Sequence, residues 1–166
     1  MNGLLSVKDF KTADLCDDYS AQLSIVAPGF LSFGQCSRFC GQISTVKCFE
    51  ENSLVREAVS SAGKGRVLVV DGAASMRCAL LGDQLATLAI KNNWKGIIIN
   101  GCIRDSYDIS MMQIGIKALA THPLKSQKRG EGERYVTLEF SGVTFREGDY
   151  VYADEDGIAV AARSLF

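Results

Sequence analysis

The chain has 166 residues, with 18 lysines and arginines against 19 aspartates and glutamates, six cysteines and one histidine. That length suits one domain spanning residues 1–166, burying about 70% of its unfolded surface. Near-neutral charge without a basic stripe interleaved with aromatics argues against nucleic acid as a direct ligand, and a single histidine excludes a histidine-rich metal site within one chain.

Met1 to Lys8 lacks the basic start and long apolar core of a secretory signal, and no apolar run reaches the roughly 20 residues needed to span a bilayer. A soluble, cytoplasmic protein is expected. Thr12 to Ser20 reads as a short opening helix, and Ile43 to Phe49 alternates as a strand. Ser53 is placed to cap a helix running through Ser60, after which Gly63-Lys64-Gly65 turns into an apolar strand, Arg66 to Val70. A glycine-containing loop follows. Leu81, Leu85 and Leu88 then share one helical face, Lys91-Asn92-Asn93 ends that helix, and Gly96 opens a buried strand ending near Gly101.

Beyond Arg104-Asp105 the pattern loosens, and Ile114 to Ala120 is compatible with helix or strand. Lys125 to Glu133 is charged and aperiodic, so an exposed loop is expected. Short β segments follow at Tyr135 to Phe140, Val143 to Phe145, Tyr150 to Ala153 and Ile158 to Ala162, with turns at Gly148-Asp149 and Glu155-Asp156-Gly157. There is no internal repeat, coiled coil or low-complexity tract. This order gives a mixed α/β class.

The six cysteines are scattered, mostly in apolar runs, and read as small core residues of a reducing compartment. Cys36 and Cys40 form the one close pair, without a second pair to complete a metal site. His122, before Pro123, reads as a loop residue. Gly72-Ala73-Ala74-Ser75 lacks the glycine spacing of a dinucleotide loop, and no phosphate-loop lysine follows.

The most informative pattern is Gly82-Asp83, twenty residues, then Arg104-Asp105. The spacing fits one α/β unit, with Asp83 at a helix start and Arg104-Asp105 just past the following strand. Both places face open crevices in α/β folds, and helix starts carry N–H groups suited to anions. Two readings stay open: a site where a small carboxylate meets a cation, or a helix-capping Asp83 with Arg104-Asp105 as an exposed ion pair worth about 0–1 kcal/mol.

In these residues the chain resembles the regulator of ribonuclease activity A proteins and the class II, metal-dependent 4-hydroxy-4-methyl-2-oxoglutarate aldolases. The resemblance runs through Asp14-Leu15-Cys16-Asp17, Phe39-Cys40-Gly41, Val46 to Glu50, Gly65 to Gly72, Met76 to Asp83, Asn100 to Asp105, Gly142 to Phe145 and Tyr152 to Gly157. The aldolase branch carries Asp, twenty residues, Arg-Asp, whereas well-known ribonuclease regulators have lost parts of it; this chain keeps Asp83, Arg104 and Asp105. It departs by having Ala73-Ala74 where many relatives have further glycines, and by stopping at Phe166 where longer aldolases continue. The methyltransferase label given to some relatives needs a nucleotide-binding glycine signature that is missing here.

The resemblance implies a swivelling β/β/α sandwich in a trimeric ring, sometimes stacked into hexamers, with sites between subunits. It implies a small 2-oxo acid substrate, a Mg²⁺ or Mn²⁺ cofactor, pyruvate as product and oxaloacetate decarboxylation through the same enolate. In that scheme Asp105 is the metal ligand, Arg104 binds substrate and enolate oxygens, and Asp83 orients a water that moves the proton. Gly82 with the N–H groups of Gln84 and Leu85 would hold the substrate carboxylate. The rival is a non-catalytic trimer that binds and inhibits a ribonuclease. Arg77 is left to the site or to an interface.

Overall fold

The computed structural model describes residues 9–166; Met1 to Lys8 lie outside the described residues. In chain order the elements are α1 (Thr12–Tyr19), a 3₁₀ turn (Ser20–Gln22), β1 (Leu23–Ile25), β2 (Leu31–Phe33), β3 (Phe39–Lys47), α2 (Ser53–Ser60), β4 (Val67–Asp71) and β5 (Ala79–Leu81). They continue with α3 (Asp83–Lys91), β6 (Gly96–Ile103), α4 (Ser106–Ile109), β7 (Gly115–Thr121), β8 (Glu133–Arg134), β9 (Leu138–Phe140), β10 (Val143–Phe145), β11 (Tyr150–Ala153) and β12 (Ile158–Ala161).

The large sheet runs β1-β12-β11-β3-β4-β6-β7-β2, with β5 added to β6 and β8 to β3. Strand β3 joins its two halves. Phe39 to Gln42 pair antiparallel with β11, while Ile43 to Lys47 pair in parallel with β4. From β3, strands β4, β6 and β7 continue in parallel register, the β3–β4, β4–β6 and β6–β7 crossovers carrying α2, α3 and α4 in turn.

Burial on both faces explains the unbroken apolar runs of β4 and β6. Leu68, Val70, Ile97 and Ile99 pack toward α2 and α3 with Val55, Ala58, Leu85 and Ala89. Val67, Val69 and Ile98 pack on the other side with Leu138, Phe145, Val151 and Val160. Helix α1 has no side-chain cap of its own; the buried Asp154 supplies one, accepting the Thr12 N–H and hydroxyl at 2.7 Å each.

Several expectations need correction. Leu81 belongs to β5, not to the helix it was grouped with, because the chain bends at Gly82 before α3 begins. Ser53 lies inside α2, and its hydroxyl donates to Glu51 instead of capping. The segment from Tyr135 is not one strand: Tyr135 takes φ 61° and separates β8 from β9. The Lys125 to Glu133 stretch is only partly exposed, since Ser126 is buried and β-bridges tie Lys125 to Ala79 and Gln127 to Glu51. Ile114 to Ala120 resolves largely as β7. Cys40, Cys48, Cys78 and Cys102 are buried, whereas Cys16, on α1, and Cys36 are partly exposed. Among the described residues no helix is long and apolar enough to cross a membrane.

Candidate active site

Strands β5 and β6 end side by side, so the residues that follow them meet at the C-terminal edge of the parallel sheet, where α/β folds place their crevices. After Leu81, Gly82 is extended and α3 begins at Asp83, with Lys91 in the last turn complementing the helix dipole. After Ile103, Asp105 takes the left-handed conformation at φ 58°, ψ 37° and starts α4. That turn is what lets the adjacent Arg104 and Asp105 both face one cleft.

The cleft has a volume of about 780 Å³ and includes Gly82, Asp83, Gln84, Leu85, Arg104 and Asp105, so every residue of the sequence pattern lines it. Asp105 Oδ2 accepts the Asp83 main-chain N–H at 3.1 Å and lies 4.0 Å from Arg104 Nε. Gly82 permits this approach: a Cβ there would stand 2.6 Å from Asp105 Oδ2. Asp83 is not the cap of α3, whose N-cap is Gly82; its Oδ1 instead accepts the Gln84 N–H at 2.8 Å. A substrate carboxylate using that N–H must therefore displace Asp83. Leu85, at the third helical position, has no acceptor four residues back within α3.

Arg77, which the sequence left to the site or to an interface, joins the cleft lining together with residues that the linear pattern did not reveal. Arg77 lines the cleft, its Nε 2.6 Å from Glu50 Oε1, while Ser75 Oγ donates to the same oxygen at 2.8 Å. These bonds, Arg77's first, hold the Glu50 carboxyl below its ordinary range. Lys125, Lys128 and Arg129 arrive from the loop after β7, and Arg56 from α2. Six cationic side chains thus face three carboxylates, a balance that attracts anions.

The loop is anchored by Glu51, which is 1% exposed and accepts Arg129 N–H at 2.9 Å, Ser53 Oγ at 2.9 Å, Ser53 N–H at 3.1 Å and Glu131 N–H at 3.4 Å. Burial disfavours the Glu51 anion, but these donors outweigh it and hold the carboxyl below its usual value. No short-range signal links Glu51 to a loop almost 80 positions away. His122 sits beyond β7, its Nδ1 accepting the Leu124 N–H.

Among the described residues no group of three or more histidine, cysteine or acidic side chains is arranged to hold a metal. The donor set still fits a hard cation: Asp105 offers carboxylate oxygen beside an open cleft, and Mg²⁺ accepts one carboxylate when substrate and water oxygens supply the rest.

A protein of Laribacter hongkongensis named "Putative 4-hydroxy-4-methyl-2-oxoglutarate aldolase" is 59% identical over 157 residues, covering 95% of this chain and 99% of its own. A solved structure from Geobacillus kaustophilus, described as an S-adenosylmethionine:2-dimethylmenaquinone methyltransferase, is 51% identical with a TM-score of 0.93, covering 94% of this chain and 97% of its own. The RNA-processing inhibitor RraA from Thermus thermophilis is 39% identical with a TM-score of 0.92, covering 95% and 96%. The family described as "RraA-like: Aldolase/RraA" matches residues 12–160. A mixed α/β fold, a family match over residues 12–160 and 59% identity over 95% of the chain together establish that the chain belongs to the RraA-like family.

Proposed function

We propose that this protein is a divalent-metal-dependent aldolase that cleaves 4-hydroxy-4-methyl-2-oxoglutarate-like 2-oxo acids to pyruvate and also decarboxylates oxaloacetate. The observation that carries the reading is the meeting of Asp83, Arg104 and Asp105 at one cleft edge, with Asp105 tied to the Asp83 N–H.

Asp105 would hold the cation, which when bound supplies positive charge that withdraws electrons from the substrate carbonyl. The substrate carboxylate lies at the start of α3, with Gly82 leaving room and the Gln84 and Leu85 N–H groups as donors. The 4-hydroxyl loses its proton to a water oriented by Asp83, C4 becomes a carbonyl, and the C3–C4 bonding pair passes to the enolate of pyruvate. Arg104 stabilises the enolate oxygen with its planar fork, and the water returns the proton to the enolate carbon. Oxaloacetate yields the same enolate by releasing carbon dioxide. Pyruvate release that depends on added Mg²⁺ or Mn²⁺ tests the assignment.

A trimer or a dimer of trimers is part of this reading. Tyr107 and Met111, 74% and 55% exposed just beyond Asp105, support a subunit contact at the rim of the site. The RraA likeness favours a second reading, a ring that binds and restrains a ribonuclease, for which the three site residues are not needed. A methyltransferase role gains no support from the turn after β4. There the N–H groups of Gly72 and Ala74 donate to Asn100 O and that of Ala73 to Asp71 Oδ1, so none is presented to a nucleotide.

A further inference from the structure

We propose that Arg77, fixed by Glu50, recognises a second carboxylate on the substrate, so that the cleft selects 2-oxo diacids over 2-oxo monoacids; the orientation rests on the aldolase reading, which puts the first carboxylate at the start of α3. The cleft, about 780 Å³, is large for a three-carbon acid, and five of its six cations, Arg56, Arg77, Lys125, Lys128 and Arg129, come from segments other than those that carry Asp83 and Asp105.

These cations differ in what they have left to offer. Arg129 is committed, with Nε on Glu131 at 3.2 Å, Nη1 on Gln127 at 2.9 Å and Nη2 on the Phe49 carbonyl at 3.0 Å. Lys125 and Lys128 are point charges without a fixed fork. Arg77 commits only Nε, to Glu50, and its two terminal nitrogens have no acceptor among the described residues. A guanidinium held in this way presents the paired N–H groups that match a carboxylate in bidentate geometry.

Glu50 is itself fixed. Its backbone stands at φ 55°, its carbonyl accepts the Gln127 N–H, and its carboxylate also takes the Ser75 hydroxyl, while Ser75 Oγ accepts the Arg77 N–H at 3.3 Å. Arg77, although 74% exposed, is therefore pre-oriented, which lowers the ordering cost of binding. Arg56 has no such buttress among the described residues. The remaining charges around the cleft leave a net attraction for an anion.

The test compares 2-oxoglutarate with 2-oxopentanoate, acids of equal chain length that differ by the second carboxylate and carry no 4-hydroxyl to be cleaved. Isothermal titration in Mg²⁺ should show the wild-type protein binding the diacid about 10- to 100-fold more tightly, as expected for a charged hydrogen-bonded pair. Arg77→Gln should bring that ratio close to one, Arg77→Lys should leave part of it, and Glu50→Gln should reduce it with Arg77 still present. A wild-type protein without the preference, or Arg77→Gln retaining it, overturns the proposal. An inert wild-type enzyme with the preference intact would remove the aldolase reading and keep Arg77, whereas an active enzyme without the preference would do the reverse.

Discussion

The Asp105 carboxylate accepts the main-chain N–H of Asp83 at 3.1 Å, which locks the second residue after β6 to the first residue of α3. Gly82 makes the contact possible, since a Cβ would fall 2.6 Å from the same oxygen. Gly82→Ala should therefore cut turnover about as severely as Asp105→Ala, although it removes no functional group. Thermal unfolding should remain cooperative in both variants. A fully active Gly82→Ala enzyme would show that the position of Asp105 does not matter.

Arg104→Lys keeps the charge and loses the planar fork. If Arg104 stabilises the enolate, kcat should fall about 10²-fold while KM changes little. A rise in KM at unchanged kcat would make Arg104 a ground-state contact.

Glu51 should carry a pH-dependent share of stability. Its carboxyl is held below the ordinary range by the Arg129, Ser53 and Glu131 donors against the opposing effect of burial, so its contribution is complete at neutral pH. It is lost as pH falls from the ordinary carboxyl value through the lowered one. Glu51→Gln should cost about 1–3 kcal/mol at pH 7, and the gap to wild type should narrow as pH drops below about 4. Melting curves across that range check this; a gap independent of pH would contradict it.

Thiol labelling should divide the cysteines by burial. Burial pushes Cys48 up to about 12, with Glu51 and Asp71 adding to it, and Cys40 to about 11. Cys78 and Cys102 are raised by burial as well. A native protein at neutral pH should label at Cys16 and Cys36 only, with the other four becoming reactive on unfolding. Mass spectrometry of the labelled protein reads this directly.

What was legible in the chain depended on how locally it was encoded. The βα unit from Arg66 to Asp105 stood out because continuous apolar strands and an amphipathic helix are short-range patterns, whereas the β5–β6 pairing that brings Asp83 to Asp105 is not. Strand β5 escaped notice because three buried residues show no period, and Leu81 matched the following helix by accident of spacing. The strand from Tyr135 failed because no propensity rule anticipates a tyrosine at positive φ. Ala73 and Ala74 were visible as departures from a glycine-richer pattern, and both take the left-handed backbone, φ 55° and 56°, that favours glycine. The cationic cluster around Arg77 escaped notice for a different reason: Arg77 was left between site and interface because Glu50, Arg77 and Arg129 are brought together only by tertiary contacts.

Pyruvate release from 4-hydroxy-4-methyl-2-oxoglutarate and from oxaloacetate, measured with chelator and then with Mg²⁺ or Mn²⁺ restored, decides between the aldolase and the regulatory ring. An aldolase should show release that falls to background with chelator, returns with the cation and is abolished in Asp105→Ala. Background-level release in every condition, combined with tight ribonuclease binding that survives replacing both Arg104 and Asp105 by alanine, would contradict the aldolase reading and establish the regulatory ring instead.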